Sequence, residues 1–121
     1  MNPEAKQENL RRGLELFNQR RFFDCHEALE AIWLEESESE KPFYQGLIQV
    51  AAGFHQLLEK RNPKGALSLV GAGAEKLRRY PPDSHGLDVA GLLRALEPWL
   101  AHLAAHGPTD DPPLPLLRPS R

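Results

Sequence analysis

Phe22-Phe23-Asp24-Cys25-His26-Glu27-Ala28-Leu29-Glu30-Ala31-Ile32-Trp33 is the stretch that decides how this chain is read. Its apolar residues return every three to four positions, the spacing of a helix with one buried face. Two ionisable residues interrupt that face. At about 100° per residue with His26 set at zero, Glu30 falls at about 40°, Trp33 at about −20°, Phe22 at about −40° and Leu29 at about −60°. The spacing predicts His26 and Glu30 near the middle of the apolar stripe, with Asp24, Ala28, Ala31 and Glu35 toward solvent. An imidazole and a carboxylate in that position cost free energy unless they pair or hold something. They are the first candidates for chemistry.

The rest of the chain repeats the helical spacing, and no apolar–polar alternation of β-branched residues competes with it. Asn2 and Pro3 form an N-cap and first-turn signal for a helix ending near Asn18 to Arg20, with Leu10, Leu14 and Phe17 facing inward. The second helix, about Phe22 to Glu36, follows so closely that the two must form an antiparallel hairpin. A third, about Pro42 to Lys60, is apolar nearly all round and is expected to be the most buried. Asn62-Pro63 opens a fourth that runs to about Tyr80 and stops before Pro81-Pro82. Gly65, Gly71 and Gly73 weaken it and suit a place where another helix comes close. A fifth starts near Leu87 or Asp88, contains Pro98, where a kink is expected, and ends before Gly107. The expected fold is all-α, about five helices, built from two antiparallel helical hairpins and a C-terminal closing helix. Residues 1–107 form a single domain, and the proline-rich tail, 108–121, is expected to be loosely ordered.

Composition narrows the function classes. A chain of 121 residues with net charge −2 holds one core and offers no basic footprint for nucleic acid or an anionic membrane. Basic pairs such as Arg20-Arg21 and Arg78-Arg79 read as solvated faces. The single cysteine, Cys25, excludes an internal disulfide and a cysteine-rich zinc site. No signal-peptide-like start is visible, and the uncharged run from Phe43 to Leu58 is shorter than the ~20 residues that span a bilayer. The expected location is the cytoplasm. A homo-oligomer through the glycine- and alanine-rich fourth helix stays open, and a small-molecule ligand is expected but not identified.

His26 and Glu30, four apart, project from one helix face. They could share a divalent metal ion, or Glu30 could orient His26 as a general base, or the pair could be structural. The metalloprotease pattern is broken, because Glu30 stands where the second histidine belongs, and the di-iron Glu-x-x-His is absent. A metal would need ligands from another helix, and helix three is the natural supplier. Its Gln45, Gln49 and Gln56 form a polar stripe, with His55 beside it near Tyr44 and Ile48. The predicted site is therefore a polar pocket between helices two and three. His26, Glu30 and His55 are its candidate ligands, and Trp33, Tyr44, Gln45 and Gln49 line it. His102 and His106 share the i, i+4 spacing but sit at a helix C-terminus, where the dipole explains them. Cys25 points about 100° away from His26 and makes a poor nucleophile–base pair with it. Arg79 and His85 resemble the arginine–histidine pair of helical RNA-cleaving domains, but Pro81-Pro82 interrupts the helix between them.

Four stretches together resemble a known family, the domain of unknown function numbered 309. They are residues 13–18 (GLELFN), 26–33 (HEALEAIW), 42–51 (PFYQGLIQVA) and 62–66 (NPKGA). The resemblance spans roughly residues 10 to 80. It implies a small all-helical fold, and it singles out an HxxxExxW motif, here His26, Glu30 and Trp33. It also implies proposed metal binding without an established activity. Three functions stay open: a polar, metal-binding pocket around His26 and Glu30; a helical-repeat-like interaction module in which the pair is structural; and a small hydrolase using His26 as general base.

Overall fold

The computed structural model describes residues 1–105 and 111–120. Five α-helices appear in order: α1 Pro3–Asn18, α2 Phe22–Glu35, α3 Lys41–Leu58, α4 Pro63–Leu77 and α5 Val89–Ala105, with a 3-10 turn at Ser84–Gly86. No strand occurs among the described residues; Leu87 and Pro119 form an isolated antiparallel bridge. Each helix packs on its neighbour in sequence, and α3 against α4 is the most extensive contact. None of the described helices is long and apolar enough to cross a membrane.

The caps foreseen in the sequence form. Asn2 Oδ1 accepts from the Ala5 amide at 2.7 Å, and Asn62 Oδ1 accepts from the Gly65 amide at 3.0 Å. Asp88 does the same for α5, accepting from Gly91 N–H at 2.9 Å. The α1–α2 corner needs a left-handed residue, and Arg20 supplies it at φ 65°. Arg20 N–H then reaches Phe17 O, and Arg21 N–H reaches Leu16 O, so the last carbonyls of α1 are satisfied within the turn.

The core has an aromatic spine. Phe17, Phe22, Phe54 and Trp99 meet in succession at ring-centroid distances of 5.2, 5.5 and 5.3 Å, tying α1, α2, α3 and α5 together. Helix α3 is central, as its all-round apolar sequence predicts: Phe43, Tyr44, Leu47, Val50, Ala51 and Phe54 are all buried. In α1 the inward face is turned from the expected one. Gly13, Leu16 and Phe17 are buried, while Leu10 and Leu14 are only partly covered.

The proline-rich end is not loose over the described residues 111–120. It runs beside α5 as an extended strap. Trp99 Nε1 donates to Pro113 O at 2.8 Å, and the Asp88 amide donates to Arg118 O at 2.8 Å, so the strap is antiparallel to the helix. The lengths agree: five extended steps of about 3.1 Å match eleven helical steps of 1.5 Å, both roughly 16 Å. Asn18 brackets Leu117 by bonding both its N–H and its C=O at 2.8 Å, and the Leu117 side chain is fully buried. A buried leucine and these hydrogen bonds, with that from the Ser120 amide to Gly86 O at 2.8 Å, offset the entropy that composition alone suggests would win.

Candidate functional site

The buried face of α2 is Phe22, Cys25, Leu29 and Ile32. Its centre lies at about −80° on the scale with His26 at zero, so His26 and Glu30 stand at the edge of the stripe and not in its middle. The expectation fails because α2 is apolar on two sides. Phe23 and Leu34 lie at about 60–80° on that scale, and they are 52% and 61% exposed. Counting all apolar residues therefore pulls the apparent stripe toward the histidine. His26 Nε2 approaches Glu30 Oε2 at 3.1 Å, with the two side chains 31% and 46% exposed. This is a pair in reach of solvent, and among the described residues no charged side chain is fully buried.

Across the α2–α3 seam the structure gathers part of the predicted set. A small cavity of about 170 Å³ is lined by Phe23, His26, Ala52, His55 and Gln56. His26 and His55 thus share a cavity, and the Phe23 ring lies between them, with centroids 6.0 Å from His26 and 5.5 Å from His55. Gln56 takes the lining place foreseen for Gln45 and Gln49. Farther along α3, Gln49 Oε1 is buried with no donor among the described residues. On α2, Trp33 Nε1 is buried with no acceptor among them. Lys41 Nζ stands 5.1 Å from the centre of the Trp33 ring. Tyr44 does not join the set: it is fully buried on another side of α3, facing α1 and the 3-10 turn. Nor does His55 form a three-ligand cluster with His26 and Glu30. Among the described residues, no three histidine, cysteine or carboxylate side chains converge closely enough to hold a metal ion.

The family model described as Domain of unknown function (DUF309) matches residues 10–69, about half of the chain. The chain belongs to this family. No curated relative matches it. The matched span takes in all of α2 and α3, and with them the HxxxExxW residues, both orphaned polar atoms and the His26–His55 cavity.

A second polar cluster in this family member reaches outside the matched span at Lys6 and His85. His85, in a left-handed conformation at φ 56°, bridges two residues of the α3 start. Its Nδ1 meets Tyr44 Oη at 3.1 Å and its Nε2 meets Glu40 Oε1 at 2.7 Å. A neutral imidazole protonated on Nε2 satisfies both, accepting from the phenol and donating to the carboxylate. Beside it, Lys6 of α1 pairs with Glu36 at 2.5 Å and stands 5.6 Å from the Tyr44 ring centre. The Glu36 bond raises the Lys6 pKa, and Lys6 in turn lowers that of Glu36. Burial raises the pKa of the Tyr44 phenol. With Tyr44 sealed from solvent, the cluster acts as a clasp locking α1, α3 and the 3-10 turn together. Nothing in local spacing announces it, because its members lie as far apart in sequence as Lys6 and His85. The only sequence hint is the histidine following Pro81-Pro82, a break that releases the chain to turn back.

His102 and the cysteine have structural explanations. His102 Nε2 meets Asp111 Oδ1 at 2.9 Å and its ring packs on Trp99 at 5.8 Å, which ties the strap to α5. His106 lies outside the described residues. Cys25 is fully buried, and burial pushes its thiol up to about 12, so it is not a nucleophile at neutral pH.

Proposed function

We propose that this protein binds a small polar molecule in the seam between α2 and α3, with His26, Glu30, Trp33 and Gln49 as the polar contacts and Phe23 and His55 at one end. The observation that carries this reading is the pair of orphaned atoms, Trp33 Nε1 and Gln49 Oε1. Buried donors and acceptors are nearly always paired, and leaving one unmade costs about 1–3 kcal/mol. An unpaired donor on α2 and an unpaired acceptor on α3 fit a ligand that presents one of each, such as an amide or a nitrogen heterocycle. The His26–Glu30 pair, held to one helix face and in reach of solvent, adds an imidazole whose Nε2 meets Glu30 and whose Nδ1 has no partner among the described residues. A cytoplasmic location belongs to the same reading, supported by a lone buried thiol and no disulfide chemistry.

The two tryptophans provide the test. Trp99 Nε1 is already bonded to Pro113 O, whereas Trp33 Nε1 has no acceptor among the described residues. Titration with acetamide, nicotinamide and imidazole should move the Trp33 indole N–H resonance and leave that of Trp99 in place. Gln49→Leu should abolish the response while making the protein slightly more stable, since it removes a buried unpaired acceptor. A Trp33 resonance that ignores every probe, or a Gln49→Leu variant that still responds, overturns the reading.

A second reading, self-association, is favoured by the exposure of Phe23, Leu34 and Leu58 at 52%, 61% and 42% on the outer faces of α2 and α3. Light scattering on Phe23→Ser and Leu34→Ser variants tests it. A wild-type monomer at high concentration removes it.

A further inference from the structure

The strap and α5 enclose a groove of about 420 Å³ that is separate from the α2–α3 seam. Two arginines line it, Arg94 from the helix and Arg118 from the strap. Neither has an acidic partner among the described residues, whereas Arg11, Arg21 and Arg78 each carry one. Folding thus brings two guanidinium-bearing residues, far apart in sequence, to one groove whose lining holds a single carboxylate, so positive charge is in excess there. The carboxylate that also lines it, Asp88, is engaged, since its Oδ1 accepts the Gly91 amide. The first-turn amides of α5 are taken as well: those of Val89 and Ala90 bond Pro82 O, and that of Leu92 bonds Asp88 O. Positive charge in the groove therefore comes from the arginines and not from the helix end. The walls are apolar, with Pro98 on one side and Leu114 and Leu116 on the other. Asp88 N–H to Arg118 O at 2.8 Å and the Asn18 bracket on Leu117 hold the strap, and so Arg118, in position.

We propose that this groove is a second binding site, taking a small molecule with a carboxylate or phosphate head and an apolar body. Guanidinium groups match both heads in shape and charge, and the volume suits a ligand of modest size. The proline and leucine walls take the apolar part and shield the ion pair from water, which strengthens it. A bound anion would also bridge helix and strap, so occupancy should steady the C-terminal segment.

Calorimetric titration of the whole chain with phenyl phosphate and with benzoate, at low salt, tests this. At least one probe should bind saturably, and the binding should weaken as salt is raised. Arg94→Gln and Arg118→Gln should each weaken it by ~10-fold or more, the loss of one charge-assisted contact. Arg20→Gln, at an exposed arginine outside the groove, should bind as the wild type does. Inorganic phosphate should bind more weakly than phenyl phosphate, because it leaves the walls uncovered. Near-ultraviolet circular dichroism of each variant checks that the fold is kept. Four results would overturn the proposal: no saturable binding of either probe, unchanged binding in both groove variants, equal loss in Arg20→Gln, or inorganic phosphate binding as well as phenyl phosphate.

Discussion

Two alanine substitutions only two residues apart on α4 should change stability in opposite directions. A Cβ on Gly73 would stand 2.6 Å from Gly46 O, 2.8 Å from Val50 Cγ2 and 3.0 Å from Val50 N. Two of those atoms are backbone of α3 and cannot step aside, so the helices must separate by about 0.5 Å or more, and such a gap forfeits a quarter to a half of each contact's attraction. Overpacking of this kind costs about 1–3 kcal/mol, occasionally more. Alanine gives back about 1 kcal/mol in helix propensity. With contacts this short the cost falls in the upper part of that range, about 2–3 kcal/mol, so the balance for Gly73→Ala is a loss of roughly 1–2 kcal/mol out of a total stability of about 5–15 kcal/mol, and the variant still folds. At Gly71 the nearest atom to an added Cβ is Leu100 Cδ2 at 3.9 Å, an ordinary contact. Gly71→Ala should therefore gain up to about 1 kcal/mol. Urea unfolding followed by far-ultraviolet circular dichroism measures both, with an unchanged m-value as the check on two-state behaviour. If Gly73→Ala matches or exceeds the wild type, or Gly71→Ala falls below it, α3 and α4 do not meet through backbone at this point and the packing argument is wrong.

Three further outcomes follow from the geometry. His26→Ala should cost less than about 1 kcal/mol in urea unfolding at neutral pH, the worth of a solvent-reachable pair, and a loss above 2 kcal/mol would return His26 to the core. Glu36→Gln should be less stable than the wild type at neutral pH by up to about 1 kcal/mol. Because Lys6 lowers the Glu36 pKa, that contribution is present above the ordinary carboxylate value and lost as pH falls through the lowered one. The gap measured by unfolding should therefore close on acidification, and a gap that widens refutes the pairing. Asn18→Ala removes both bonds to Leu117 and should cost about 1–3 kcal/mol, with hydrogen exchange of the Leu117 amide greatly accelerated. Unchanged protection there would mean that the strap is held by something else.

The local features of this chain are legible in its residues alone. Asn2-Pro3 and Asn62-Pro63 mark helix starts because an Asn side chain caps the first amides and proline fits the first turn, whatever lies around them. The all-round apolar character of the third helix foretells that neighbours cover it. Family membership and the all-α class follow from such short-range signals. Placement of the site needs tertiary structure. In α2 the helical period is visible but its phase is not, because Phe23 and Leu34 imitate core residues. Only the burial of Cys25 and Ile32 in the folded core shows that His26 and Glu30 stand at the rim. Spacing along α3 sets Tyr44 beside His55, whereas folding gives it to His85, for a related reason: a helix buried on several sides does not say which neighbour each residue meets. His26 with His55, Tyr44 with His85, Asn18 with Leu117 and Arg94 with Arg118 are pairings made by chain return. Sequence spacing carries the shape of each helix, while these contacts depend on loop closure and packing, for which the local pattern holds no signal.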